Sequence, residues 1–180
     1  QLIPYVILCC HGKTLSYVRG KRAGETRLVG NRSIGIGGHI NPVDELALFG
    51  DFRETYLNAV QREVEEETGL QSSFLSLRGI MNERILPLDN STPGGHYILF
   101  VCELQVTGGK ASEKYEGPVN WFTFEQLKLK ADGGEMIATD FALLQAFREP
   151  SPDLVYIEAE VHSSQKQGRR VDKIIRFDFI

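Results

Sequence analysis

Apolar positions along this chain fall into short runs and alternating stretches broken by turn residues, with one long helical stripe near the middle. Residues 3–10 are nearly all apolar and predict a buried strand. His11-Gly12-Lys13 supplies a turn, and residues 15–19 predict the returning strand of a hairpin. The stretch 20–26 is polar and basic and reads as a loop, with a short strand at 27–29. Residues 33–40, Ser-Ile-Gly-Ile-Gly-Gly-His-Ile, place glycines where the backbone needs freedom or another group comes close. Asn41-Pro42 and Gly50-Asp51 mark 41–53 as a loop or a short ordered insertion.

Residues 55–68 carry the clearest helix pattern, with Gly69 as its stop. Strands are predicted over 74–82 and 96–106, joined by the turn-rich 87–95, and again over 119–124. One or two helical turns at 125–130 precede a second helix over 135–148, which puts Met136, Ile137, Phe141, Leu144 and Phe147 on one face. Residues 154–162 alternate, with Val155, Ile157, Ala159 and Val161 on one side, and 170–179 can pair with them across a polar turn. Strands and helices mix without regular alternation, which predicts an α/β (α+β) fold with a mixed sheet. A chain of 180 residues suits a single domain, with 1–149 as its core and 150–180 as an added β-hairpin.

The central helix carries the chemistry. Each helical residue advances by about 100°, so with Glu63 set at zero, Glu67 falls near 40° and Glu66 near −60°. Tyr56, Leu57, Val60 and Val64 fall on an adjoining arc, whereas Asn58, Gln61 and Glu65 point the other way. Three carboxylates therefore border the apolar face. Like charges at these spacings repel, and partial burial raises the cost. A hard divalent cation relieves it, since Mg²⁺ takes oxygen ligands and is commonly held by carboxylates together with substrate phosphates. Without such an ion the cluster reads as a solvated Glu-rich face.

Composition narrows the partners. The net charge of −4 disfavours a duplex nucleic-acid binder. No apolar run is long enough for a membrane span, and no signal peptide is visible, although a chain that starts at Gln1 leaves a lost targeting segment open. The three cysteines, Cys9, Cys10 and Cys102, have neither disulfide nor metal spacing and predict a reducing, cytoplasmic location.

The segment Arg62-Glu63-Val64-Glu65-Glu66-Glu67-Thr68-Gly69-Leu70 resembles the second half of the Nudix box, Gly-x5-Glu-x7-Arg-Glu-U-x-Glu-Glu-x-Gly-U, with U bulky and aliphatic. Glu54 stands at the box spacing before Arg62, and Gly38 is the match to the leading glycine. Fifteen residues separate those two where the box has five, so the expectation is a ten-residue insertion within 41–50. Trp121-Phe122 followed by Glu125-Gln126-Leu127 also resembles a downstream segment common in the family. The resemblance implies a Nudix-type α/β/α sandwich around a mixed sheet. It implies a metal-dependent hydrolase that cleaves the phosphoanhydride bond of a nucleoside diphosphate linked to another moiety. Carried over by position, Glu63, Glu66 and Glu67 bind Mg²⁺ or Mn²⁺, with the Gly38 carbonyl as a further ligand. Arg62 orients a neighbouring carboxylate, while Glu54 and Gly69 give structural or outer-shell support.

Such a metal neutralises phosphate oxygens and acidifies the attacking water, and a carboxylate serves as general base. Glu63 is the first candidate for that base and Glu116 the second. His39, Arg22 and Arg27 are candidates for contact with substrate phosphate; each also reads as an ordinary turn or loop residue. A non-catalytic Nudix-fold nucleotide sensor is the main alternative, against which stands the full set of box carboxylates. Isoprenyl diphosphate isomerisation needs a cysteine in a different setting from Cys9 and Cys10. RNA cap removal fits poorly with the acidic balance. The moiety attached to the nucleotide, the role of the C-terminal hairpin and a homodimeric state are left open.

Overall fold

Strand β1 (Leu2–Cys10) runs through a mixed sheet that has nine strands among the described residues, and its alternation decides which helix lies on which side. Val6 and Leu8 face helix α1 (Phe52–Thr68), packing with Tyr56, Val60 and Val64. Tyr5 and Ile7 face helix α3 (Ala138–Ala146), packing with Ala142, Leu143 and Ala146. A strand covered on both faces must be apolar throughout, which is why residues 3–10 show a continuous run. The computed structural model describes residues 2–20, 29–38, 40, 41, 44, 52–88, 94–109, 119–146, 154–164 and 168–178.

The remaining strands are β2 (Lys13–Val18), β3 (Arg32–Ser33), β4 (Gly35–Gly37), β5 (Leu70–Pro87), β6 (Gly95–Gly109), β7 (Asn120–Phe122), β8 (Val155–Ser164) and β9 (Gly168–Asp178). Across the sheet the order is β3-β2-β1-β6-β5-β8-β9, with β4 paired to β1 and β7 to β2. The β1–β6 and β5–β8 pairs are parallel and the others antiparallel, so the sheet is mixed, as expected. Helix α2 (Phe124–Asp132) opens with a capping box between Thr123 and Gln126. It packs Leu127 and Ala131 with Met136 and Leu144.

The C-terminal strands join the main sheet. Val155, Ile157, Ala159 and Val161 are all fully buried, as their alternation predicts, and β8 lies alongside β5. Gly79 in β5 makes that pairing possible. Its φ is +153°, and a Cβ there would lie 1.8 Å from the Val155 carbonyl oxygen.

Two elements and one residue depart from the sequence reading. Strand β5 is longer than 74–82, starting at Leu70 immediately after α1. Its first residues, Gln71, Ser72 and Ser73, are polar and hide it from an apolar count, and register shifts against β6 break its alternation. Helix α3 starts later than residue 135, because Met136 bridges to Arg32 and the Ile137 N–H donates to the Arg32 carbonyl at 3.0 Å. Asn58 does not face solvent freely; it is half-buried on α1. The strand expected at 27–29 falls largely outside the described residues.

Candidate active site

Helix α1 forms because its apolar positions recur on one side, and Tyr56, Ala59, Val60 and Val64 are buried against the sheet. Full burial of an aliphatic side chain contributes roughly 1.5–3 kcal/mol, so this face fixes how the helix is rotated. Gly69 ends it with a φ of +69°, and its N–H donates to the Glu65 carbonyl at 2.8 Å. The Thr68 hydroxyl donates to the Val64 carbonyl at 2.6 Å and accepts the Leu70 N–H at 3.1 Å. The carboxylate turn is therefore held rigidly between a buried face and a sheet strand.

Rotation of the helix brings three of the expected residues together. Arg62 Nη1 lies 3.0 Å from Glu63 Oε1 and 3.0 Å from Glu66 Oε2, so the two carboxylates are neighbours around one cation. The side chain of Glu63 is only 14% exposed, at the apolar border as predicted, whereas that of Glu66 is 60% exposed. Gly38 completes the group from the end of β4. Its N–H donates to the Pro4 carbonyl at 3.3 Å, and a Cβ on it would lie 2.3 Å from Glu63 Cγ and Cδ. Only glycine lets the strand end lie directly against that carboxylate. Glu67 shares the helical turn and lies within electrostatic reach of the Tyr17 phenol, whose hydroxyl donates to the Gly35 carbonyl at 3.1 Å.

Glu63, Glu66 and Glu67 carry hard carboxylate oxygens, the kind of donor that a divalent cation such as Mg²⁺ takes, and a glycine backbone packs on the first of them. Arg62 draws Glu63 and Glu66 to itself, and among the described residues no three His, Cys, Asp or Glu side chains converge on one point.

The structure adds a residue that the sequence reading missed. Asp44 is 3% exposed and grips Arg62 through two bonds, Nε to Oδ1 at 2.7 Å and Nη2 to Oδ2 at 3.1 Å. The hydrogen bonds from Arg62 hold the Asp44 carboxyl below the usual aspartate value despite its burial, and Asp44 in turn raises the Arg62 guanidinium. Glu54, the residue expected to support this region, lies exposed in the first turn of α1. The signal for Asp44 was present: five residues separate it from Gly38. Glu116, His39, Arg22 and Arg27 lie outside the described residues.

A second buried carboxylate, Asp140, sits on the opposite face of the sheet. It accepts the Tyr5 hydroxyl and the Ile34 N–H, the latter at 3.0 Å. Burial pushes its carboxyl up to about 6, against the opposing pull of those donors. Among the described residues the buried Nε atoms of Arg19 and Arg32 find no hydrogen-bond partner, and Arg32 stacks over the Phe122 ring at 4.9 Å.

Comparison with known proteins agrees with this geometry. The NUDIX domain model matches residues 8–140, from β1 into α3. Protein YmaB of Bacillus subtilis (strain 168) is 30% identical over 131 residues, which cover 71% of this chain and 61% of that protein, so the match spans about three fifths of the relative's length. A mutator MutT protein from Bacillus halodurans superposes with a TM-score of 0.63 at 20% identity, covering 98% of this chain and 97% of the other. A MutT protein from Methanosarcina mazei Go1 gives a TM-score of 0.53 at 19% identity, covering 83% of this chain and 95% of its own. These two share the fold, C-terminal strands included in the first case by its coverage. With the family model matched over most of its length and the glycine, arginine and carboxylates gathered at one end of α1, the chain belongs to the Nudix hydrolase family.

Proposed function

We propose that this chain is a metal-dependent pyrophosphohydrolase. Its substrate is a nucleoside diphosphate linked to a further moiety, cleaved by water attack on phosphorus. The observation that carries this reading is the contact of Gly38 with Glu63, while Arg62 holds both Glu63 and Glu66. Residues more than twenty positions apart thus meet where the helix turn presents its carboxylates. Glu63, Glu66 and Glu67, with the Gly38 carbonyl, would hold Mg²⁺ or Mn²⁺. Bound there, the ion supplies charge neutralisation for the phosphate oxygens and acidification of water.

The chain's own groups do the rest. Arg62 orients Glu63 through its Nη1. Glu63 takes the proton from the attacking water, since it is the half-buried carboxylate fixed on two sides, by Arg62 and by Gly38. The buried Tyr56, Val60 and Val64 set the helix rotation that aims these groups. A cytoplasmic setting suits the thiols of Cys9, Cys10 and Cys102, all free.

The test is a panel of nucleotide diphosphate derivatives incubated with Mg²⁺ or Mn²⁺ and read by product chromatography. Turnover is expected with at least one member and is expected to vanish in Glu67→Gln. Full activity of both Glu66→Gln and Glu67→Gln with Mg²⁺ would remove the metal assignment. Nucleotide binding by calorimetry with no turnover under either metal would replace the enzyme by a sensor.

A further inference from the structure

The geometry points to Asp44 as a positioning residue of this site, fixing Arg62 and through it the carboxylates Glu63 and Glu66. The inference rests on the function proposed above and names the residue that sets the arginine's orientation. A guanidinium is a planar fork with five N–H donors. Asp44 engages two of its nitrogens, Nε at 2.7 Å and Nη2 at 3.1 Å. A two-point pair between planar ions fixes the plane of the arginine as well as its position. The third nitrogen, Nη1, is thereby directed at Glu63 and Glu66, 3.0 Å from each.

Asp44 is itself anchored. Its Oδ2 accepts the Asn41 N–H at 2.7 Å, and its backbone carbonyl accepts Asn58 Nδ2 at 3.1 Å. Asn58 and Arg62 are four residues apart on α1, so they form one helical face that grips Asp44 twice. Its side chain is 2% exposed, so water does not screen the pair as it would on the surface.

Spacing agrees with geometry. Five residues lie between Gly38 and Asp44, the interval that the box sets between its glycine and its first acidic residue. The extra residues then lie between Asp44 and Arg62, and Phe52–Gln61 of that interval is helix continuous with the carboxylate turn. Glu54 belongs to this added helix. At a rise of about 1.5 Å per residue it sits about 12 Å along the axis from Arg62. The acidic residue at the box interval after Gly38 is accordingly an aspartate, one carbon shorter than the box glutamate, and the extra residues follow it instead of preceding it.

The experiment compares wild type, Asp44→Asn, Asp44→Glu and Glu54→Gln, all folded by circular dichroism. Mn²⁺ binding to metal-free protein is read from the electron paramagnetic resonance signal of free Mn²⁺, beside kcat and KM on a substrate found in the panel. Loss of an outer partner of a metal ligand typically costs 10–100-fold, so Asp44→Asn is expected to weaken Mn²⁺ binding about 10-fold and lower kcat with KM changed less than about twofold. Asp44→Glu restores the charge and is expected to recover Mn²⁺ binding to within about threefold of wild type. Wild-type Mn²⁺ affinity in Asp44→Asn, or an equal or larger loss in Glu54→Gln, overturns the inference. If Asp44→Asn does not fold, Asn58→Ala carries the test, with weakened Mn²⁺ binding in support and unchanged binding against. Wild-type protein that neither binds Mn²⁺ nor turns over overturns the functional reading and this inference together. Wild type that binds beside an equally competent Asp44→Asn overturns this inference alone.

Discussion

A single methyl group at Gly38 separates the stability of this fold from the function of its site. In Gly38→Ala the new Cβ would lie 2.3 Å from Glu63 Cγ and Cδ and 2.7 Å from Oε2. Carbon atoms in contact sit about 3.5–4.0 Å apart, so one partner must move by more than about 1 Å. The backbone at Gly38 is not in the left-handed region, so alanine carries no conformational penalty of its own there. The clash is with the end of a flexible side chain, and Glu63 yields first by leaving its rotamer, at a cost of about 0.5–1.5 kcal/mol. Stability is therefore expected to fall by no more than about 1.5 kcal/mol, read from urea unfolding. Misplacement of a reacting group by about 1 Å can cost about 100-fold in rate, so kcat is expected to drop by about that factor. Mn²⁺ binding is expected to weaken with it, because the carboxylate displaced is a proposed ligand. Full kcat and full Mn²⁺ affinity in a folded Gly38→Ala protein would refute the Gly38–Glu63 contact as a part of the site. A loss of several kcal/mol would show instead that β4 moves and Glu63 does not.

Asp140 provides a pH prediction. Its folded carboxyl keeps its proton up to about pH 6, against an ordinary value of 3.8, so its contribution to stability is complete below pH 3.8 and is lost as pH rises through 6. A shift of that size corresponds to about 3 kcal/mol, so wild type should lose about that much relative to Asp140→Asn between pH 4 and pH 7.5 in urea unfolding, and parallel curves would show that the shift is absent. Gly79→Ala places a methyl 1.8 Å from the Val155 carbonyl oxygen at a φ of +153°, and is expected to loosen β8 and β9. Amide hydrogen exchange should then quicken in those strands first, and unchanged protection would place the pairing elsewhere. Leu143 is fully buried where α3 meets the sheet, so Leu143→Ala should cost about 2–5 kcal/mol by the same unfolding assay.

How far the sequence could be read depended on whether a local pattern was enough. The apolar run of β1, the alternation of Val155 to Val161 and the stop at Gly69 are each set by neighbours in the chain, and each appears in the structure. The start of β5 is not, because its polar residues Gln71 to Ser73 are strand only through their pairing with β6. The Tyr5–Asp140 bond joins residues 135 positions apart, and no spacing rule announces it.

The site shows the same division at finer scale. Arg62, Glu63, Glu66 and Glu67 lie within two turns of one helix, so periodicity alone puts the carboxylates on one face. The partner of Arg62 stands 18 positions before it, and counting back from the arginine by the box spacing leads to Glu54, whereas counting forward from Gly38 leads to Asp44. Sequence distance cannot choose between the two counts, because a loop accepts extra residues on either side of the contact at small entropic cost. Burial can choose. A carboxylate 2% exposed must be paired or neutral, whereas Glu54 is exposed and needs no partner for its stability. Asp44 keeps its charge because Arg62 donates twice to it, and an aspartate so buried stays ionised only while that arginine holds still. The pair thus constrains both members, and the two glutamates held by the remaining nitrogen are placed by a residue that the helix pattern does not contain.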